Sequence, residues 1–128
     1  NRLEQVLIRT ELEQTGADEA LVLDTQGLLV DCCAANLFWR KGEEVFTPDV
    51  TQAGVNGIQR QRVMRLLATQ GVRVREVSVP PQILEQADEI FITNALMPVL
   101  PVVEIDNRFY RSRTLFNRIN EHDFQGNL

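Results

Sequence analysis

The stretch QAGVNGIQRQRVMRLL, residues 52–67, runs from two glycines into a helix-like pattern without a break. Gly54 and Gly57 fit two interpretations. The plain one is a turn that precedes a helix. The other is an anion site, because the first N–H groups of a helix have no partner within it and glycine lets a phosphate approach the backbone closely. Either way, the pattern predicts a helix over about residues 58–70, ended by Gly71.

The rest of the chain alternates predicted strands and helices around this segment. Short apolar runs bounded by turn residues are typical of strands, and they occur at residues 19–24, 28–33, 36–40, 44–48, 72–79, 89–93 and 102–106. Further helices are predicted from Leu3 to Leu12, from Pro80 through Ala87, and over residues 113–122. Hairpins mixed with crossing helices indicate an α/β or α+β domain with a mixed sheet.

The helical pattern also predicts which side chains face the core. In the opening helix, Leu3, Val6, Leu7 and Leu12 recur at helical spacing before Gly16 stops it. In the central helix we expect the apolar face to consist of Ile58, Val63, Met64, Leu67 and Ala68.

Composition excludes several classes of function. A net charge of −5 argues against nucleic acid as a partner, and no apolar run approaches the roughly 18 residues of a membrane span. Cys32 and Cys33 are the only cysteines; adjacent thiols in an apolar stretch indicate small core residues in a reducing cytosol. The single histidine, His122, lies far along the chain, so no metal site is expected.

Three further positions could carry chemistry. Thr93 and Asn94 end a predicted strand, which fits either a ligand-binding loop or a strand exit with a local turn. Asp31 interrupts an apolar strand and lies either on the solvent face or buried with a partner. Lys41, the only lysine, is expected to be a solvated turn residue and not a nucleophile. Arg60 and Arg62 lie one turn into the predicted helix that follows the glycines.

Three segments together resemble a known family. CCAANLFW (residues 32–39), AGVNGI (residues 53–58) and NALMPV (residues 94–99) are similar to the C-terminal half of the aminodeoxychorismate lyases. These enzymes belong to the fold-type IV pyridoxal-phosphate family, with the branched-chain and D-amino-acid aminotransferases. The resemblance covers essentially the whole chain. It implies a mixed, barrel-like sheet with flanking helices, the C-terminal domain of the D-amino-acid aminotransferase-like fold.

The resemblance also implies roles for individual residues toward pyridoxal 5'-phosphate. Gly57, Ile58 and Gln59 match the segment that binds the cofactor phosphate, and backbone contact is expected because Gln59 replaces a threonine common in the aminotransferases. Asn94 and Ala95 match a second phosphate-side loop. Asp31 matches the acid that faces the pyridine nitrogen, where the family usually has glutamate. An anion site at one end and an acid at the other is what this cofactor requires.

The resemblance further implies that the catalytic lysine lies upstream of Asn1. Residues 1–128 are therefore expected to be the C-terminal domain of a longer cytoplasmic enzyme, partnered by its own N-terminal domain and forming a homodimer. The expected reaction converts 4-amino-4-deoxychorismate to 4-aminobenzoate and pyruvate in folate synthesis. Two alternatives stay open: a branched-chain or D-amino-acid aminotransferase of the same fold, and a non-catalytic binding domain, which the missing lysine favours.

Overall fold

The computed structural model describes residues 5–10, 19–23, 29–32, 36–49, 57–93, 99–105 and 108–123. For residues 5–10, 19–23, 29–32 and 120–123 it describes the backbone alone. These ranges contain nine strands: β1 Gln5–Thr10, β2 Glu19–Leu23, β3 Leu29–Cys32, β4 Asn36–Lys41, β5 Glu44–Pro48, β6 Val74–Val77, β7 Glu89–Thr93, β8 Leu100–Ile105 and β9 Arg108–Phe109. They also contain helices α1 Ile58–Thr69 and α2 Thr114–Asp123, and a 3-10 helix Pro81–Gln86. No helix in these ranges is long and apolar enough to cross a bilayer.

The strands form one mixed sheet in the order β3-β2-β1-β8-β7-β4-β5-β6, with β9 paired to β8. All pairs are antiparallel except β5 and β6, which the α1 crossover joins in parallel. Although β3 lies at one end of this order, it approaches β4 and β5. The sheet therefore curls back on itself, as expected for the barrel-like mixed sheet that the resemblance implies.

Alternation along the central strands builds a core on each face of the sheet. One face carries Leu37, Trp39, Leu84, Ile90, Ile92, Leu100, Val102, Ile105 and Tyr110. The other is covered by the two α-helices and carries Phe38, Val45, Val63, Leu67, Phe91, Val99, Leu115 and Ile119. On the helix-covered face, Phe38 stacks on Phe91 with ring centroids 5.1 Å apart. β4 and β7 are thus buried on both faces and hold the sheet rigid where they meet.

The prediction of an opening helix is wrong, because residues Gln5–Thr10 form strand β1. β1 pairs with β2 on one side and with β8 on the other. The consecutive apolar residues Val6, Leu7 and Ile8 suit a central strand as well as a helix, and pairing on both sides decides between the two.

The predicted apolar face of α1 is also wrong at two positions. Ile58 is 77% exposed, and Ala68 is exposed. Since each helical residue turns about 100°, Ile58 lies about half a turn away from buried Leu67. The predicted end of the helix is confirmed: Gly71 follows the cap at φ +80°, in the left-handed region that favours glycine.

A buried ion pair fastens α2 to the sheet. Glu89 at the start of β7 is 1% exposed, and its Oε1 accepts hydrogen bonds from Arg40 Nε at 2.9 Å and from the Leu115 amide at 2.8 Å. Its Oε2 accepts from the Phe116 amide at 2.8 Å. The carboxylate therefore caps the start of α2 and neutralises an arginine on β4 at the same time.

Candidate functional site

The candidate anion site begins at the N-terminus of α1. Gly57 is the N-cap residue, with φ −69° and ψ 160°, and its carbonyl accepts the first helical hydrogen bond from the Gln61 amide at 3.1 Å. The N-cap has no side chain to accept from the first amides, and no acidic side chain stands in the first turn. These features leave the helix start positive in character and suited to an anionic ligand.

Gly57 is required by a close approach and not by its backbone angles. A Cβ atom placed on it would lie 2.7 Å from Oδ1 of Asn36, a separation that side chains do not tolerate. Asn36 is 6% exposed at the start of β4, so it has little room to yield. No local pattern singles out Asn36, because only the strand fold brings it against residue 57.

Thr93 lies beside Asn36 in the sheet. The two residues are direct partners in the β4–β7 register, so their side chains point to the same face. Thr93 is 1% exposed, and its Oγ1 has no hydrogen-bond partner among the residues that the structure describes. The end of β7, the start of β4 and the start of α1 thus meet at one edge of the helix-covered face.

The two arginines near the helix start have structural partners. Arg60 is 3% exposed, and its Nη2 donates to Glu76 Oε1 at 2.8 Å and to the Pro48 carbonyl at 3.3 Å. It ties the first turn of α1 to β5 and β6. Arg62 Nη1 donates to Gln59 Oε1 at 3.3 Å. That bond uses the acceptor oxygen of the Gln59 side chain, and backbone contact of an anion with residue 59 stays a prediction.

The remaining predicted site residues are only partly described. Asp31 lies in β3 opposite Val22, and its side chain is outside the described part of the chain. Asn94 and Ala95 also lie outside the described residues; they directly follow Thr93 in sequence. Within the described ranges, no group of three histidine, cysteine or acidic side chains could hold a metal ion.

Lys41 is exposed at the end of β4, as predicted for a turn lysine. Its Nζ approaches one acceptor, the Gln86 carbonyl, at 3.4 Å. A lysine that acts as a nucleophile needs a desolvated site that lowers its pKa. The position of Lys41 in the β4–β5 hairpin does not provide one.

Comparison with known proteins shows which family the chain resembles. Residues 1–105 match the model of the amino-transferase class IV family. An aminodeoxychorismate lyase of Vibrio harveyi is 38% identical over 102 residues, which is 80% of this chain and 38% of that protein. A branched-chain amino acid aminotransferase of Escherichia coli superposes with a TM-score of 0.80 at 29% identity, over 88% of this chain and 38% of that one.

A third relative carries a ligand. An aminotransferase from Brucella abortus, described as bound to the cofactor pyridoxal phosphate, superposes with a TM-score of 0.78 at 35% identity, over 87% of this chain and 40% of that one. The chain thus spans about two fifths of the length of these relatives. The family match over most of its residues shows that the chain belongs to the class IV aminotransferases, the fold-type IV enzymes that use pyridoxal phosphate.

Proposed function

We propose that the protein carrying this chain is a pyridoxal-phosphate-dependent lyase that converts 4-amino-4-deoxychorismate to 4-aminobenzoate and pyruvate. One structural observation carries the cofactor part of this proposal. The α1 helix starts at a glycine, without a side-chain cap, at the edge where Asn36 and Thr93 meet. The similarity to the Vibrio harveyi lyase and the segment NALMPV support the reaction.

The phosphate end of the cofactor is assigned to the backbone. The amides of Ile58 and Gln59 open α1, and Gly57 lets an anion approach them without a side chain in the way. Arg60 fixes the position of this first turn by its bonds to β5 and β6. Such fixed dipoles bind a phosphate without reorganisation. Asn94 and Ala95, directly after β7, would complete the phosphate side.

The ring end of the cofactor is assigned to Asp31. Its carboxylate would face the pyridine nitrogen and hold a proton there. When bound, the cofactor draws electrons from the bonds beside the substrate's amine nitrogen. Asp31 is one methylene shorter than glutamate, so its carboxylate must come closer to the nitrogen or act through a water.

The catalytic lysine is assigned to chain outside residues 1–128. Lys41 is the only lysine here and lies exposed in a hairpin. A lysine on an N-terminal domain, facing the edge formed by Gly57 and Thr93, would take up the substrate's ring proton as pyruvate leaves. Residues 1–128 alone are accordingly expected to show no lyase turnover. We further propose that the whole protein is a cytoplasmic homodimer.

An aminotransferase is the second candidate function. The superposition on the Escherichia coli branched-chain enzyme favours it, and a missing domain would contribute much of the substrate choice. Against it stands the sequence that follows β7, which reads NALMP without a threonine. Both candidate functions use the same cofactor site, and they differ in the reaction that the bound substrate undergoes.

A direct assay separates the two functions. The whole protein, loaded with pyridoxal phosphate, is given 4-amino-4-deoxychorismate, and pyruvate release is followed. In parallel it is given branched-chain or D-amino acids with 2-oxoglutarate, and glutamate is measured. We expect pyruvate and little glutamate. Rapid glutamate formation without pyruvate would establish the aminotransferase and overturn the lyase.

A further inference from the structure

Thr93 carries a buried hydroxyl that no other residue in the described part of the chain uses. It is 1% exposed, and its Oγ1 has no hydrogen-bond partner within the described ranges. A buried hydroxyl without a partner costs free energy, so native proteins rarely leave one for no reason. A role in binding a ligand is one physical reason for such a group.

The neighbours of Thr93 show where its hydroxyl can find a partner. It shares a face with Asn36, whose Oδ1 lies against Gly57 at the start of α1. Toward the middle of the same strands the face is closed by Phe38 stacked on Phe91. The aromatic side offers no acceptor. We therefore expect a ligand to reach the hydroxyl from the edge where α1 begins.

We propose that Thr93 Oγ1 donates a hydrogen bond to the phosphate group of the bound cofactor, beside the amides that open α1. This inference rests on the proposed cofactor site and adds a side chain to it. A phosphate dianion presents strong hydrogen-bond acceptors and no donor. It therefore suits a hydroxyl that acts as the donor.

Thr47 provides a matched comparison. It is also fully buried, on strand β5, but its Oγ1 donates to the Leu37 carbonyl at 2.6 Å. Replacing Thr47 by valine removes a hydrogen bond that the protein makes within its own fold. Replacing Thr93 by valine removes none that the described residues make. The two substitutions should thus separate a structural hydroxyl from a ligand-binding one.

The test uses the whole protein freed of cofactor. Thr93→Val, Thr93→Ser and Thr47→Val are compared with the wild type by thermal unfolding and by titration with pyridoxal phosphate and with pyridoxal, which lacks the phosphate. We expect Thr93→Val to melt no lower than the wild type and to bind pyridoxal phosphate about tenfold more weakly, as for one hydrogen bond to a charged group. Pyridoxal binding should not change. Thr93→Ser should bind like the wild type.

The control should behave in the opposite way. Thr47→Val should melt at a lower temperature and bind pyridoxal phosphate normally. Equal loss of pyridoxal phosphate and pyridoxal binding in Thr93→Val, unchanged binding of both, or a clearly lowered melting temperature would each overturn the role of Thr93. If the wild type itself fails to bind pyridoxal phosphate, the proposed function fails and the inference fails with it.

Discussion

Replacing Glu89 by glutamine should destabilise the domain more than any single surface change. The carboxylate accepts three hydrogen bonds, from Arg40 Nε, the Leu115 amide and the Phe116 amide. A glutamine has the same shape but one donor end. Whichever way it turns, its NH2 group faces an N–H. Arg40 loses the nearer of the two carboxylate partners that the structure describes for it and keeps only Asp88, at 3.9 Å.

The size of the effect follows from burial. Glu89 is 1% exposed, and the Arg40 side chain is 15% exposed. Removing one partner of a buried ion pair costs about 3–5 kcal/mol because the other charge is left uncompensated. Arg40 keeps its hydrogen bonds to Ser112 Oγ and the Gly42 carbonyl, so we expect the low end, about 3 kcal/mol. For a domain of this size that corresponds to a fall in melting temperature of about 10 °C.

The assay is thermal unfolding of the cofactor-free protein, followed by far-ultraviolet circular dichroism. Glu44→Gln is the matched control, because Glu44 pairs with Arg75 at 3.1 Å but both side chains are about 60% exposed. Such surface pairs contribute less than about 1 kcal/mol. A Glu89→Gln protein that melts within a degree of the Glu44→Gln protein would refute the claim that this carboxylate holds α2 on the sheet.

Three further predictions concern the site and the core. Asp31→Ala should slow turnover on the order of a hundredfold while pyridoxal phosphate still binds in an absorbance titration; near-normal turnover would remove Asp31 from the mechanism. Gly57→Val should abolish cofactor binding, because even a Cβ meets Asn36 Oδ1 at 2.7 Å; an unchanged cofactor spectrum counts against the phosphate site. Burial raises the pKa of the Tyr110 hydroxyl above its ordinary 10.0; the charge of Arg108 lowers this pKa, and the charge of Glu85 raises it. Stability should therefore hold below pH 10 and fall as pH rises through the raised pKa, and Tyr110→Phe should flatten that fall in urea titrations at pH 9 to 12.

Local pattern was sufficient for much of the sheet and for the central helix. The strands at residues 36–40, 44–48 and 89–93 are continuous apolar or alternating runs between turn residues, and α1 lies between two glycines. The strand at Gln5–Thr10 was not predictable in this way. Its apolar residues fit both the helical and the strand period. Only the pairing of β1 with β2 and with β8, which lies far along the chain, selects the strand.

In the candidate site, too, some residues are predicted from the sequence and others are identified only by the fold. Gly57 and the helix start are visible in the sequence because glycine spacing and helical periodicity are local signals. Asn36 and Thr93 are 57 residues apart in the chain and become neighbours only through the β4–β7 register. The bond between Arg40 and Glu89 spans 49 residues and depends on the same strand pair. No local sequence pattern predicts such contacts.

The most direct test is a crystal structure of the whole protein with pyridoxal phosphate bound. We expect phosphate oxygens within about 2.7–3.2 Å of the amide nitrogens of Ile58 and Gln59, with the Asp31 carboxylate at the opposite end of the ring. A phosphate bound elsewhere, or first-turn amides of α1 bonded instead to the protein's own side chains, would contradict it.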